Sequence, residues 1–497
     1  MSEPCNGKTA SVDSSQISAT AQHPSRRSVL AAGAALATGA TAAEFAPGRA
    51  SGQTPGAADP ELARLQSRRR ILIKGGVVLA VEGQDLAQGD VLIEDGKIRE
   101  VRPGIAAADD MAVVDASNRV LIPGFVDTHS HSYQGLLRSS LPNGQVDPDY
   151  NRDVQNNLTL HYQPADVYAG VLIAAIAFID MGTTTIVDLS QISHTPEHTD
   201  ACIQALKDAG IRAVFGFSRG AGPRAQYPQD LTRLQREYFN SKDQLLTLAL
   251  GASLEPEVLM AARDADVQAV MHYRVNPEPA LALSRAGLLR EGDEFIHCTH
   301  LSEEAWRMIK DTGGRVSLCP PLEMAMGHGM PAIQDALDHG VRPSLSSDHG
   351  TTVAQDMFTV MRTAFEVQRL FVQQRMRKNE PNLPPLLTCR EVLAFATIAG
   401  ARCALLESKI GTLAPGKDAD IVMLRADRPD VWPMNSAASM VVNRMNPSHV
   451  DAVFIAGKVR KWRGSLVDVD LARIMRLAQE AREAVMQRGQ FHVDLLG

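Results

Sequence analysis

Two histidines separated by one serine end a short apolar run, an arrangement in which imidazole side chains can bind a metal ion. They are His129 and His131, in the stretch GFVDTHSHSYQGLL at residues 124–137. In a β-strand, residues i and i+2 point to the same face, so both imidazoles would face the same side. A His-x-His pair is a weak signal alone, because two polar residues at the end of an ordinary strand look the same.

Three further residues that can bind metals end apolar segments elsewhere in the chain. His272 ends VQAVMH, His297 ends EFIH and Asp348 ends PSLSSD. Neutral imidazoles together with a carboxylate suit Zn²⁺ or another borderline divalent ion. If these segments are strands of one parallel barrel, their carboxyl ends meet at the face where barrel enzymes carry their chemistry. Placement at strand ends, not spacing along the chain, therefore indicates a metal site.

The middle of the chain supplies the elements that would position these residues. Strands are predicted in FVDTHSH, TTTIVDLS, RAVFGFS, LLTLALGAS, VQAVMHYRV, EFIHCTH, GRVSLCPP and VRPSLSSD. Most are separated by helix-like segments such as EEAWRMIKDTG and MPAIQDALDHG. Eight strands in a βαβ rhythm predict an α/β fold, specifically a (β/α)₈ barrel over residues 123–407.

The ends of the chain have a different pattern. Residues 70–122 and 408–465 are rich in β-branched runs, with hairpin turns predicted at Asp95-Gly96 and Ala456-Gly457. We expect the two segments to pair into one small β-sandwich domain. Residues 466–497 are predicted to form a helical extension.

Composition narrows the classes of partner. The hydrophobic fraction is 44%, the net charge is −7 and no apolar run is long enough to span a bilayer. These values argue against nucleic acid or a membrane as a partner and favour a small-molecule substrate. Six cysteines without a C-x-x-C pair indicate neither a disulfide framework nor a thiolate zinc site. Amphipathic segments at 357–377 and near the C-terminus suggest a homo-oligomer, a dimer or larger.

The N-terminus resembles an export signal. Ser25-Arg26-Arg27 precedes a mild apolar stretch of small residues, and Ala40-Thr41-Ala42 would suit signal peptidase. We predict a twin-arginine signal peptide over residues 1–43 and a linker over residues 44–69, hence a periplasmic or secreted protein. A disordered Ala-rich tail with an incidental Arg pair is the alternative, and it implies a cytoplasmic protein.

Several motifs together resemble the metal-dependent amidohydrolase superfamily, nearest to its cytosine deaminase, adenosylhomocysteine deaminase and atrazine chlorohydrolase branch. They are PGFVDTHSH, GTTTIVDLS, FIHCTHLSEE, GHGMPAIQDALDHGVRPSLSSD and GTLAPGKDADIVML. The resemblance as a whole covers roughly residues 70–465. The resemblance implies a barrel with a β-sandwich and one metal ion, usually zinc or iron. It also implies that the metal ligands are His129, His131, His272 and Asp348. His297 would then lie beside the metal or against the substrate.

The sequence departs from this family pattern after His272. Deaminases of the branch usually carry a glutamate three residues later, but here the following residues are Tyr273, Arg274 and Val275. Either Glu323 occupies the same space and moves protons in its place, or the leaving group departs easily and needs no second carboxylate. No lysine ends the fourth strand, LLTLALGAS, which argues against a binuclear site and for a single metal ion.

Four more residues are candidates for substrate contact because they lie near predicted strand ends: His328, Arg219, His194 and His300. Each has a structural alternative. A salt bridge is the alternative role for Glu323, and His300 could instead begin the helix in THLSEE, which Ser302 would cap. His339 is expected to end a helix and not to bind metal.

The combined prediction is a metal-dependent hydrolase that cleaves a C–N bond of a cyclic amidine or aminated N-heterocycle. Metal-activated water would attack, Asp348 would move its proton and His297 would stabilise the developing charge. Zinc is the expected metal and iron the alternative. Other open possibilities are hydrolysis of an amide, urea or carbon–halide bond, and a non-catalytic amidohydrolase-like binding protein.

Overall fold

The computed structural model describes residues 59–241 and 243–496, which contain two separate β-sheets. The strands are β1 (Arg70–Val78), β2 (Leu86–Glu94), β3 (Lys97–Arg102), β4 (Met111–Asp115), β5 (Arg119–Pro123), β6 (Phe125–Ser130), β7 (Thr183–Ser190), β8 (Arg212–Ser218), β9 (Leu246–Gly251), β10 (Gln268–Tyr273), β11 (Glu294–His297), β12 (Arg315–Leu318), β13 (Ser344–Leu345), β14 (Ile421–Arg425), β15 (Val450–Ile455), β16 (Lys458–Trp462) and β17 (Ser465–Leu466).

The α-helices lie mainly between the strands of the second sheet. They are α1 (Pro60–Ser67), α2 (Pro164–Asp180), α3 (Pro196–Ala209), α4 (Leu231–Glu237), α5 (Pro256–Asp264), α6 (Glu278–Arg285), α7 (Glu303–Asp311), α8 (Pro320–Ala325), α9 (Ile333–Asp338), α10 (Met357–Arg377), α11 (Cys389–Ala394), α12 (Gly400–Cys403), α13 (Ala437–Asn443) and α14 (Leu471–Arg488). Ser302 caps α7 by accepting a hydrogen bond from the Ala305 N–H, as the sequence predicts.

Strands β6 to β13 form the barrel. They lie side by side in chain order and all neighbouring pairs are parallel. Backbone bonds close the ring next to β13: the Asp348 N–H donates to His129 O at 2.8 Å, and the His131 N–H donates to Asp348 O at 3.2 Å. The predicted (β/α)₈ fold class is confirmed, and the closure itself joins candidate site residues from the first and last strands.

The other nine strands form one sheet from both ends of the chain. Antiparallel pairing of β5 with β14 joins the N-terminal strands to the C-terminal ones. Strand β1 pairs with β4 along its first half and with β5 along its second half, with register shifts around Gly76. Residues from the two ends of the chain, among them Ile73 and Phe454, therefore pack in the same core cluster.

Both hairpin turns fall where the sequence places them. Asp95 and Gly96, between β2 and β3, have φ of 50° and 81°, and Ala456 and Gly457, between β15 and β16, have φ of 47° and 74°. Two consecutive positive φ angles define the type I′ turn, which matches the twist of the flanking strands.

One segment differs from the expected linker. Residues 60–67 form helix α1 and are not linker, because the Asp59 carboxylate caps the first turn and Leu65 is buried. Trp462 also donates its indole N–H to Asp59 at 3.1 Å, which attaches the segment to the sheet. The predicted signal peptide and the remainder of the linker, up to residue 58, lie outside the described residues, and both stay predictions.

The C-terminal helix α14 packs against α2 on the outside of the barrel. Within residues 59–241 and 243–496, no single helix is long and apolar enough to cross a membrane. Only the pair Val146–His161 and Pro164–Asp180 passes that test jointly, by length and composition alone, and it is bent by 118°.

Candidate metal centre and active site

Three imidazoles converge at the carboxyl ends of the barrel strands. His129 and His131 come from the end of β6, and His272 lies on β10 across the barrel mouth. The ring centroid of His129 is 4.7 Å from that of His131 and 4.8 Å from that of His272. One ring nitrogen from each of the three lies within 4.8 Å of the others, so all three can bind the same ion.

Asp348 adds a carboxylate to this group. Its Oδ1 atom is 3.3 Å from His129 Nε2 and 3.4 Å from His131 Nε2. Its backbone has a left-handed φ of 59°, an unusual conformation for a residue with a side chain, and the barrel-closing hydrogen bonds hold it there. Strain of this kind at a strand end is typical of functional sites.

The donor set fits a divalent metal ion. His129 is completely buried, yet neither of its ring nitrogens has a hydrogen-bond partner, and Asp348 Oδ1 also has none. Buried polar atoms without partners are costly, so an ion that accepts their lone pairs is the expected complement. His131 donates Nδ1–H to Leu189 O at 2.9 Å, which leaves Nε2 for a metal.

The charges of the group suit the same role. Burial lowers the pKa of His129, His131 and His272, so the imidazoles are neutral, as metal ligands must be. Burial opposes ionisation of Asp348, but the neighbouring His349 and His129 imidazoles outweigh it and hold the pKa of that carboxyl well below its usual range. Three neutral nitrogens and one carboxylate oxygen match a mononuclear zinc-type site.

His297 and Glu323 form a second pair beside the candidate metal ligands. His297 ends β11, with Nε2 3.6 Å from Asp348 Oδ2 and Nδ1 3.2 Å from Glu323 Oε1. The Glu323 carboxyl is completely buried in the first turn of α8, where Oε1 accepts the Cys319 N–H at 2.9 Å and Oε2 has no partner. The structure therefore brings both predicted catalytic residues to Asp348.

Burial sets the protonation states of this pair. It raises the pKa of Glu323 to about 8 and lowers the pKa of His297 to about 4. At neutral pH the carboxyl group is therefore protonated and the imidazole is neutral. A protonated carboxylic acid that faces a reaction centre can act as a general acid.

His328 extends the pair through its contact with His297. Its ring meets that of His297 edge to face at 4.6 Å, and its buried Nδ1 has no hydrogen-bond partner. Burial lowers its pKa to about 3, so it is neutral. The predicted position of His328 at the active face agrees with this geometry, and its free nitrogen is available to a ligand.

A cavity of about 560 Å³ opens next to His272. Its walls carry amides, hydroxyls and short apolar groups, and none of the described lining residues is acidic. These residues are Gln155, Asn156, Thr159, Leu160, Leu189, Gln191, His194, Ser218, Arg219, Gly220, Ala221, Tyr227, Gly251, Ala252, Ser253, Leu254, Val270 and His272. Such a cavity suits a small neutral molecule with several hydrogen-bonding groups.

Comparison with known proteins identifies the family. A profile of the amidohydrolase family matches residues 120–460, more than half of the chain. The chain belongs to the amidohydrolase family. It is 27% identical over 433 residues to the 5-methylthioadenosine/S-adenosylhomocysteine deaminase of Pyrococcus furiosus, covering 82% of this chain and 98% of that protein. It is also 27% identical over 443 residues to the 5'-deoxyadenosine deaminase of Methanothermobacter thermautotrophicus, covering 83% and 97%.

Solved structures share the fold of this amidohydrolase. An adenosine deaminase from Xanthomonas campestris with bound zinc superposes with a TM-score of 0.74 at 22% identity, covering 84% of this chain and 98% of that one. The atrazine chlorohydrolase from Arthrobacter aurescens TC1, complexed with zinc, gives 0.73 at 20% identity, covering 83% and 100%. The predictions of an amidohydrolase and of an enzyme acting on C–N bonds other than peptide bonds are confirmed, and the site supports a divalent metal.

In this amidohydrolase, the position three residues after His272 faces solvent. Val275 has a left-handed φ of 66° and is 63% exposed, and its N–H donates to Thr299 O at 3.1 Å. A side chain here points away from the metal ligands. The carboxyl group beside His297 comes instead from Glu323, on the next helix but one.

The remaining predicted contact residues occupy different places. Arg219 lies at the cavity rim, where its guanidinium pairs with Glu255 at 2.9 Å and lies 5.6 Å from the Tyr227 ring centre. His194 lines the cavity, but Nε2 bonds Thr159 O at 2.9 Å and Nδ1 accepts the Ala221 N–H at 2.8 Å. Both ring nitrogens are occupied, so His194 holds the wall together and has none free for a substrate.

His300 is exposed and lies outside the cluster of site imidazoles. Its ring packs so closely against Gly329 that a Cβ at that glycine would lie 2.2 Å from Nε2. Gly329 follows His328 directly and has a φ of 116°, which only glycine adopts readily. His300 therefore supports the loop that carries His328.

Two groups at the site have no counterpart in the sequence predictions. Asp127 is fully buried and accepts hydrogen bonds from the Ser347 N–H, the Ser347 hydroxyl and the His129 N–H, so it ties β6 to the segment before Asp348. His349, directly after Asp348, stacks on Tyr150. The i, i+2, i+4 spacing of Asp127, His129 and His131 is a sequence pattern from which Asp127 could have been predicted. The sequence contains no pattern that predicts the contact of His349 with Tyr150.

Proposed function

We propose that this amidohydrolase uses one divalent ion, zinc, to hydrolyse a C–N bond of a small aminated N-heterocycle or cyclic amidine and to release an amine or ammonia. A zinc ion bound by His129, His131, His272 and Asp348 would supply Lewis acidity and make water nucleophilic near neutral pH. The observation that carries the proposal is the buried, partnerless His129 ring within reach of Asp348, beside a protonated Glu323.

Glu323 is the proposed proton donor to the heterocycle. Its Oε1 atom accepts the Cys319 N–H and lies at hydrogen-bond distance from His297 Nδ1, so the acidic proton is best placed on the partnerless Oε2. From Oε2 it can be donated to a ring nitrogen while water adds to the adjacent carbon, and Glu323 can recover a proton from the added hydroxyl group as the carbon–oxygen double bond forms and the amine departs. This supplies the role that a glutamate at position 275 would otherwise have.

Asp348 and His297 are the residues proposed to transfer the proton that the attacking water releases. Asp348 is ionised, and its Oδ2 atom can accept a proton from the attacking water and pass it to the departing amine. With Nδ1–H directed at Glu323, His297 presents an unprotonated Nε2 at 3.6 Å from that carboxylate oxygen. This nitrogen can accept a hydrogen bond from the water or the amine and so orient it.

The relatives support the substrate class. Two relatives with 27% identity over more than 80% of this chain are a 5-methylthioadenosine/S-adenosylhomocysteine deaminase and a 5'-deoxyadenosine deaminase. The cavity beside His272 offers amides and hydroxyls to such a polar substrate, without an acidic side chain among its described lining residues.

The test is metal analysis combined with product release. Purified protein is assayed with zinc and with iron on a panel containing an adenine nucleoside, cytosine, an aminated triazine, a chlorinated triazine and a simple amide. Ammonia or amine release from an aminated ring, lost in the His129→Ala variant, supports the proposal. Chloride release alone, or amide cleavage alone, would instead support one of the alternative hydrolase activities. If the protein binds no metal and converts no compound of the panel, the proposed hydrolase function is wrong and a non-catalytic binding protein is favoured.

A further inference from the structure

An aromatic stack covers the metal ligands on the side of His131. The imidazole of His349 lies parallel to the phenol ring of Tyr150, with centroids 4.3 Å apart and planes inclined by 6°. Tyr150 belongs to the helical segment Val146–Gln155, in the long connection between β6 and α2. The stack therefore joins this connection to the residue that follows Asp348.

The imidazole of His349 is fixed but incompletely paired. Its Nδ1 atom is 2.9 Å from the hydroxyl of Thr351, while no described residue bonds Nε2. The residue is only 3% exposed, and its ring centroid is 6.5 Å from that of His131. Nε2 is not one of the fully buried polar atoms that lack a partner, so this unpaired ring nitrogen remains open to a ligand. His349 does not belong to any group of side chains whose atoms converge on one ion in the described residues.

Tyr150 is anchored to the wall of the substrate cavity. Its hydroxyl accepts hydrogen bonds from Gln134 Nε2 at 2.7 Å and from Gln155 Nε2 at 2.9 Å. Gln155 also bonds Gln191 at 3.2 Å, and both amides line the cavity next to His272. The ring that orients His349 is thus held by groups that a bound molecule would touch.

From this geometry we infer that His349 is a substrate-binding residue whose Nε2 makes a hydrogen bond to the bound heterocycle, with Tyr150 as the positioning residue that fixes its plane. The inference rests on the proposed function, since it assigns a further contact in the same site. It adds an imidazole contact next to His131, at a ring-centroid distance of 6.5 Å, to the His297 and His328 rings described above.

The test compares variants loaded with zinc, using the best substrate from the panel. His349→Ala should lower kcat/KM by about 10- to 100-fold, the usual cost of a lost hydrogen bond to a buried group, with zinc content unchanged. His349→Gln, whose amide reaches the place of Nε2, should recover part of the loss. Tyr150→Leu should raise KM, and Tyr150→Phe, which keeps the stacked ring but loses the two hydrogen bonds from Gln134 and Gln155, should raise KM less.

A matched control is His339→Ala. That imidazole also stacks on an aromatic ring, Trp306 at 5.7 Å, but on the outside of the barrel, and its removal should leave kcat/KM unchanged. Wild-type kinetics in His349→Ala, or loss of zinc from it, would overturn the inference and leave the proposed function intact.

If the wild type turns over no compound of the panel, the contact is tested instead by calorimetry, with adenosine added to the zinc-loaded proteins. Binding at least tenfold weaker in His349→Ala supports the contact, and equal or undetectable binding in both proteins overturns it.

Discussion

Oε1 of Glu323 lies 3.2 Å from Nδ1 of His297, and both side chains are buried. The two residues come from different strand–helix units, β11 and α8, and only the barrel brings them together. Because Glu323 is protonated and His297 neutral, the contact is a hydrogen bond between uncharged groups, and the carboxyl proton remains available to a substrate.

Glu323→Gln should lower kcat by about 10²-fold or more, because the amide cannot donate and then recover a proton. Zinc content should not change, since Glu323 is not among the four proposed ligands. Steady-state kinetics with metal analysis measures both. The matched control is Glu304→Gln in the first turn of α7, where the side chain is 65% exposed. Near-wild-type kcat in Glu323→Gln would reduce this residue to a structural role.

The rate should decline with alkaline pH. The pKa of Glu323 is raised to about 8, so kcat falls as pH rises through that value and the donor loses its proton. A bound cation lowers the pKa of a nearby carboxyl, so the decline begins at or below pH of about 8 in the zinc enzyme. The kcat–pH profile of Glu323→Gln should lack this decline. If the wild type and Glu323→Gln show the same decline of kcat at alkaline pH, a group other than Glu323 causes that decline.

Val275→Glu tests whether position 275 can serve the reaction here. Since this position is 63% exposed with a left-handed backbone, the new carboxylate should remain in solvent. We expect kcat to stay within about twofold of the wild type, as for surface substitutions away from special features. Val275→Glu should also fail to rescue Glu323→Gln. Recovery of activity in the double variant would show that the segment can turn inward.

The barrel, and the meeting of the candidate metal ligands at one end of it, could be predicted because parallel strands bring their carboxyl ends together, so polar residues that end several strands are informative as a set. The orientation of Val275 could not be predicted, because its left-handed backbone accompanies a hydrogen bond to Thr299, which follows the neighbouring strand β11. The same limit applies to His349, whose partner Tyr150 lies 199 residues away in a connection without strand pattern. Helix α1 was missed since Asp59 and Pro60, its cap and first residue, follow a stretch with linker composition.

His129→Ala should abolish zinc binding, since it removes the ligand at the centre of the imidazole group. Binding to the folded state alone stabilises a protein by about 2.7 kcal/mol when free ligand is a hundredfold above Kd. Added zinc should therefore raise the Tm of the wild type and leave that of His129→Ala unchanged, as measured by thermal unfolding with and without a chelator. A His339→Ala control should respond like the wild type. A zinc-dependent Tm in His129→Ala would place the ion elsewhere.

Arg212 is predicted to stabilise the junction between the barrel and the nine-stranded sheet without affecting catalysis. Its side chain is 2% exposed at the start of β8, and Nε and Nη2 donate to Asp420 at 2.9 and 3.0 Å, while Nη2 also donates to Asp418 at 2.9 Å. Arg212→Met leaves two carboxylates without their shared partner, which costs about 3–5 kcal/mol for a broken buried pair. Urea unfolding should show that loss, while kcat per bound zinc stays at the wild-type value.

The control is the surface pair of Arg285 and Glu278, whose side chains are 59% and 63% exposed. Arg285→Ala should lower the free energy of unfolding by about 1 kcal/mol or less. If the two variants lose the same free energy of unfolding, burial does not make the Arg212 ion pairs more stabilising than the exposed pair.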